Sequence, residues 1–467
     1  FMTIMFIKID IIRELAMTAS VGVAIIILTN LFLLPILLSW LHMKNAEEYR
    51  HRLLKKAAKD APMWRFLASF TEPGRARVTV AVALVLFGLG LWKAQDMQIG
   101  DSEAGVPELR ANSRYNQDAM LITSKFSLGV DLLTVIAETV PDACTENYEV
   151  MEAIDHFAWH LANVEGVQQV LTLPMAVKVV NAGWNEGNIK WRYLPSDRYV
   201  LRQAISSIPT DTGLLNNDCS AIPILVFTVD HKAETIARVV NEVKRLREGE
   251  HVSDLEFHME PPALDAVAQE SGDVSPAMLQ FRLATGNVGV MAATNEDVKA
   301  AQTPMLALVF GSIIVLCLLT YRTFLGTMAI VLPLVVVSTL AEGLMAIYGI
   351  GLKVNTLPVV ALGVGIGVDY GIYIYNRLRS QLREGHNLHV AYYRTLRLTG
   401  RAVIFTGFTL ATGVGTWIFS ALQFQADMGI LLCFIFLANM IGAIVLLPAL
   451  VRVLMIRNKD QAPADSN

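Results

Sequence analysis

The residue best placed to do chemistry is Asp369. It stands in Ala361-Leu362-Gly363-Val364-Gly365-Ile366-Gly367-Val368-Asp369-Tyr370-Gly371, a carboxylate inside an otherwise apolar run. At helical rise, Asp369 lies about 20 Å from Asn355 and about 12 Å from Arg377, too far for its side chain to reach either end easily. An ionised Asp at depth in a bilayer costs at least about 2.5 kcal/mol, so the group is expected to be neutral or paired with a cation. A carboxyl that gains and loses a proton near physiological pH suits proton coupling. The bland alternative is a structural acid, neutral and hydrogen-bonded to its neighbours.

Other groups could serve the same chemistry. Tyr370 offers a hydroxyl that could donate to a carboxylate on another helix. Thr406, Thr409, Thr412 and Thr416 recur about once per turn of the next apolar run and could extend a proton relay, although such threonines commonly bond back to their own helix. Glu342 is a second acid in an apolar run, nearer its outer end; a proton access route, a lipid-facing portal and a plain interfacial position all remain open. Cys144 and Cys219 share a polar segment where an oxidising compartment would permit a disulfide, with two free thiols as the alternative. Cys317 and Cys433 lie in apolar runs and read as packing residues. No Cys or His spacing forms a metal set, and there is no nucleophile elbow or phosphate loop. No metal, cofactor or enzymatic chemistry is therefore expected, and no basic surface points to nucleic acid.

The elements that hold these residues are membrane spans. The chain is 54% hydrophobic and only 17% charged, against about a quarter charged for a soluble domain. Runs near 20 apolar residues predict spans at 17–42, 77–95, 302–321, 324–350, 354–376, 402–421 and 427–451, with 1–8 reading as the tail of another. Phe1 opens inside an apolar run with no charged n-region, so the start is not read as a signal peptide but as the middle of something longer. Lys and Arg crowd 43–76 (Lys44, Arg50, Arg52, Lys55, Lys56, Lys59, Arg65, Arg75) and 377–401 (Arg377, Arg379, Arg383, Arg394, Arg397, Arg401). Arg322 sits in a tight turn, and Arg452, Arg457 and Lys459 follow the last span. Alternating the spans puts all four groups on one side, which is therefore cytoplasmic.

The expected organisation is then 1–42, the end of a first bundle; 43–76, a cytoplasmic linker; 77–95, a span; and 96–301, an external domain. It continues with three spans in 302–376, a cytoplasmic amphipathic helix in 377–401, two spans in 402–456 and a tail in 457–467. The helix in 377–401 rests on the spacing of Leu382, Leu388, Tyr392 and Leu396 among arginines, with a solvated linker as the alternative. In the external domain, Leu132–Glu138, a helix near 148–163 and Val167–Leu173 repeat the rhythm of Ile222–Val229, 232–247 and Leu255–Met259. Strands flanking amphipathic helices imply α+β structure of ferredoxin-like type. The fold class is thus a polytopic α-helical membrane protein with an extracytoplasmic α+β domain.

Two patterns sharpen the picture. Gly363, Gly367 and Gly371 form an i, i+4, i+8 stripe suited to close helix packing. Asp369 points nearly opposite, with Gly365 on its own side. Separately, Leu33-Leu34-Pro35 matches Leu446-Leu447-Pro448, and Glu14 matches Asp427, at a single offset of 413. Repeats of this kind mark transporter folds. They predict a further half upstream, with chance recurrence of Leu-Leu-Pro in Leu-rich helices as the alternative.

The Gly363-Val364-Gly365-Ile366-Gly367-Val368-Asp369-Tyr370 motif resembles the Gly-rich Asp-Tyr motif of resistance-nodulation-division (RND) transporters, in the MMPL and sterol-sensing-domain branch. The stretch Gly105-Val106-Pro107-Glu108-Leu109-Arg110 to Asp118 also resembles bacterial exporters of that superfamily. The resemblance implies twelve spans in two parallel halves, porter-like periplasmic loops, and residence in the bacterial inner membrane. It implies proton-motive-force-driven export of hydrophobic or lipid-like molecules, with protons, a periplasmic partner or a second copy of the chain as partners. Its proton site lies between the fourth and tenth spans. Asp369 and Tyr370 match the tenth-span share; the fourth-span share, on the N-terminal half, has no counterpart in this sequence. The alternative is a non-transporting, sterol-sensing-like lipid-binding regulator or scaffold.

Overall fold

In the computed structural model the chain forms two compact units, residues 1–99 with 296–467 and residues 100–295. The structure describes residues 5, 10–40, 62–102, 105–126, 129–247 and 279–455. Most of 1–8 and all of Leu255–Met259 lie outside them.

Along the chain, α1 (Asp10–Trp40), α2 (Pro62–Ala68) and α3 (Pro73–Ala94) open the helical unit. The α+β unit follows: α4 (Arg114–Lys125), β1 (Asp131–Thr139), α5 (Tyr148–Ala162), β2 (Val167–Leu171), α6 (Leu173–Trp184), α7 (Arg198–Ser206), β3 (Ala221–Thr228), α8 (Ala233–Arg247) and β4 (Leu279–Thr285). Then come α9 (Asn287–Tyr321), α10 (Phe324–Tyr348), α11 (Leu357–Arg383), α12 (Leu388–Thr395), α13 (Arg401–Gly415), α14 (Gln423–Ile441) and α15 (Leu447–Met455). Among the described residues, seven helical runs are long and apolar enough to cross a membrane, the last two being α12–α13 extended to Phe419 and α14–α15.

Local chemistry sets the ends of these helices. Pro73 and Pro358 sit in the first turns of α3 and α11, where a missing N–H costs nothing. Helix α10 stops at Gly349, whose φ of +65° lets Ile350 N donate to Met345 O (2.9 Å) and Gly349 N to Ala346 O (3.4 Å). The 377–401 stretch is divided rather than forming one surface helix. Arg377–Arg383 prolong α11, a turn through Gly385 (φ +88°) follows, and 388–400 lead directly into α13. Leu388, Tyr392 and Leu396 are buried. Helix α12 packs on α2 as well as α11, and a Cβ at Gly400 would sit 3.0 Å from the Trp64 ring.

Small residues let spans approach. A Cβ on Gly90 of α3 would lie 3.2 Å from the Thr339 carbonyl, and one on Gly343 of α10 would lie 3.2 Å from the Gly90 carbonyl. Asp10 and Gln423, the first residues of α1 and α14, stand at the same offset of 413 as the paired motifs. Pro448 has no N–H for the Ile444 carbonyl one turn back. The backbone takes a π-helical turn over Gly442–Leu446, and the buried Tyr392 hydroxyl donates to Ile444 O.

Among the described residues the α+β unit holds one sheet, ordered β2-β3-β1-β4 and antiparallel throughout. Each βαβ crossover skips one strand, which is the ferredoxin-like arrangement. The first rhythm and the opening strand and helix of the second contribute to this one sheet, while Leu255–Met259 lies outside the described residues. Leu133, Val135 and Ala137 face Val226, Ile224 and Ile222 across the β1–β3 pair, all six fully buried. Met151, Ile154 and Leu161 of α5 and Ile236, Val239 and Val243 of α8 belong to the same core. The described strand that completes the second half is β4, with Phe157 stacked on Phe281 at 4.0 Å.

Candidate functional site

Asp369 projects from a face of α11 that the described elements leave uncovered. Asp369, Gly365 and Tyr373 are all exposed, and a Cβ at Gly365 would meet nothing within 4 Å. Asp369 makes no hydrogen bond or ion pair with any described residue. No Lys, Arg or His stands between Lys353 and Arg377 to neutralise it from its own helix.

The opposite face is tightly packed. A Cβ on Gly363 would overlap Ile435 and one on Gly367 would overlap Asn439, so an i, i+4 pair of glycines receives an i, i+4 pair from α14. Gly371 faces Ile330 of α10 at 3.1 Å. Asn439 is 2% exposed, and its Nδ2 donates to Gly363 O at 3.1 Å. Sequence reasoning passed over Asn439; a lone amide in an apolar run was the signal that could have found it.

Tyr370 parts company with Asp369. One residue along a helix is a 100° rotation, and Tyr370 is buried inside the bundle at 1% exposure, its hydroxyl without a hydrogen-bond partner among the described residues. Thr406 and Thr409 are exposed and donate to their own helix, at Ala402 O (2.9 Å) and Phe405 O; Thr416 likewise donates to Gly413 O (2.7 Å). Their hydroxyl protons are thus engaged locally. Helices α11 and α13 share α14 as a neighbour. Glu342 is half-buried on α10 and accepts from Gln302 Nε2 of α9 at 3.4 Å. Asp427, the acid of the repeat, is buried and accepts from Gln423 Nε2 at 2.9 Å.

In the α+β unit, Cys144 and Cys219 are joined as a disulfide with a Cα–Cα separation of 5.7 Å, fixing the β1–α5 connection to the residue two before β3. Cys317 is buried and Cys433 half-buried, both free. No group of three or more His, Cys, Asp or Glu that could hold a metal occurs among the described residues.

The helical spans and the single antiparallel sheet define a polytopic membrane protein with an appended α+β unit. Residues 263–462, which include Asp369, match the MMPL family. A putative membrane protein of Methanocaldococcus jannaschii is 22% identical over 332 residues, covering 69% of this chain and 77% of its own length. A putative membrane protein of Streptomyces coelicolor is 31% identical over 33% of this chain and 22% of its own. The trehalose monomycolate exporter MmpL3 of Mycolicibacterium smegmatis is 29% identical over 32% of this chain and 14% of its own. The match thus spans most of the first relative and less than a quarter of the other two.

Proposed function

We propose that the chain forms part of a proton-motive-force-driven exporter of hydrophobic or amphiphilic, lipid-like molecules, resident in the bacterial inner membrane with its α+β unit in the periplasm. The observation that carries this reading is Asp369, an acid in an apolar span on a face left open, with no partner among the described residues. An acid so placed is expensive to keep ionised and is a functional group by default, and proton relay is one of the roles such acids serve. The MMPL match over 263–462 and the export role in the name of MmpL3 support the transport class.

In this reading the Asp369 face of α11 meets a second helical bundle, which supplies the cation or hydroxyl that the carboxylate lacks. Protonation removes the charge, lets the two faces close and tilts the equilibrium between two packings. Lipid-like substrate is taken up on the outer side, where Glu342 and Gln302 lie near the outer end of their spans.

The test is Asp369→Asn in the full-length transporter, reconstituted in vesicles with an imposed pH gradient. Asn keeps shape and hydrogen bonding but carries no exchangeable charge. Substrate export is expected to fall to background with protein level and melting temperature unchanged. Export at the wild-type rate would overturn the proposal. Binding of lipid without any proton flux in the wild type would favour the regulator or scaffold reading instead.

A further inference from the structure

His231 lies in the loop between β3 and α8 and is 5% exposed. Its Nδ1 sits 2.9 Å from Asp131 Oδ1, at the start of β1. The same carboxylate oxygen accepts from Asn287 Nδ2 (3.1 Å), the first residue of α9, while Asn287 Oδ1 accepts from Leu132 N (2.8 Å). His231 Nε2 is buried with no hydrogen-bond partner among the described residues. The other groups acting on the ring are the Asp101 carboxylate and the Gly105 carbonyl. Its neighbours on its own loop are occupied with each other: Asp230 accepts from Thr235 Oγ1 (2.6 Å) and Lys232 N (3.2 Å), and Lys232 Nζ stands 3.7 Å from Asp230.

These surroundings are one-sided. Among the described residues, Asp131, Asp101 and the Gly105 backbone all favour the charged ring. A neutral imidazole would bury a lone pair without a donor, whereas an imidazolium presents an N–H on both sides. Burial alone favours the neutral ring. The hydrogen bond and charge of Asp131, with Asp101 and Gly105 behind them, outweigh it and raise the His231 pKa above its ordinary value. The contacts also meet where the chain enters and leaves the unit. Asp101 O accepts from Ala233 N (2.7 Å), and Val106 is held by Asn116, whose Oδ1 accepts from Val106 N (2.8 Å).

We propose that His231 is a proton-operated latch of the α+β unit: as imidazolium it holds the Asp101 and Gly105–Val106 segment against the start of β1, and on losing its proton it lets that segment go. The sign follows from the raised folded value. The stabilisation is present in full below the unfolded histidine range, near pH 6.5, and is lost as pH rises through the folded value. A compartment that acidifies during proton pumping would therefore close the latch, and an alkaline one would open it.

The test is hydrogen–deuterium exchange on the whole chain in lipid nanodiscs, from about pH 5.5 to about pH 8.5, corrected for intrinsic exchange. Protection of peptides across 99–112 is expected to fall at least about tenfold over this range, while peptides across 148–162 stay constant. His231→Gln should be poorly protected over 99–112 at every pH and show no step. A flat wild-type profile, or a step that survives in His231→Gln, overturns the proposal. If the variant does not fold, the imidazole C2 exchange of wild-type His231 still decides, since a midpoint at or below about 6.5 is incompatible with the latch.

Discussion

Adding a single methyl group at Gly367 probes the packing that aims Asp369. In Gly367→Ala the new Cβ would overlap the Asn439 side chain. Two responses are open. Asn439 can swing away, which breaks its 3.1 Å bond to Gly363 O and leaves a 2%-exposed amide unsatisfied, at about 1–3 kcal/mol. Otherwise α11 and α14 move apart, and overpacking of this kind also costs about 1–3 kcal/mol. Gly365→Ala is the internal control, because its Cβ meets nothing within 4 Å and should leave stability unchanged or raise it by up to about 1 kcal/mol through helix propensity. Thermal melting of the detergent-solubilised chain, followed by size-exclusion fluorescence, reads both variants. Adding Asn439→Ala to Gly367→Ala should restore part of the loss, since the obstacle and the unsatisfied amide disappear together. Equal destabilisation at 365 and 367, or no coupling between 367 and 439, would refute the packing argument.

Two further outcomes are expected. Replacing Cys144 and Cys219 together with Ser opens a loop closed across a separation of 75 residues and should cost the α+β unit about 4 kcal/mol, measured by denaturant unfolding monitored at its tryptophans; an unchanged midpoint would remove the disulfide's stabilising role. Tyr392→Phe withdraws the one hydroxyl that serves the carbonyl freed by Pro448 and should cost about 1–2 kcal/mol in melting, whereas Tyr393→Phe, whose neighbour relationships lie elsewhere, should cost less.

Much of this arrangement is legible in the residues because it depends on period. The spans follow from length, and the sides of α11 follow from 3.6 residues per turn applied to Gly363, Gly367, Gly371 and Asp369. The alternation in β1 and β3 is equally readable. What escapes is anything that requires a partner distant in sequence. Asn439 gives no hint that it fits Gly367, nor Tyr392 that it reaches Ile444 O, 52 residues on. The turn at Gly385 cuts a convincing amphipathic pattern in two, yet Leu388, Tyr392 and Leu396 still face the core, because the pattern recorded burial and not helix length. Strand β4 did leave a signal in Leu279-Gln280-Phe281-Arg282-Leu283, where alternate residues turn inward to Phe157 and outward to Glu138, with Arg282 Nε 2.7 Å from the Glu138 carboxylate.

The direction of Asp369 is set from behind. The carboxylate makes no contact of its own that would orient it among the described residues, so its bearing comes from the rotation of α11 about its axis. That rotation is fixed by Gly363 and Gly367. Turning α11 by one residue, 100°, would drive Val364 and Val368 into the space that admits no Cβ beside Ile435 and Asn439. A stripe without side chains therefore specifies where the one charged side chain points. The same logic explains why Tyr370 is buried while its neighbour is not: one helix cannot aim adjacent residues at one target. If both act on protons, they do so toward different faces of α11, and Asp369 alone addresses whatever packs on the open side. Substitution at Gly363 or Gly367 should consequently impair any activity of Asp369 without touching it, whereas Tyr370→Phe should leave the bearing of Asp369 unchanged.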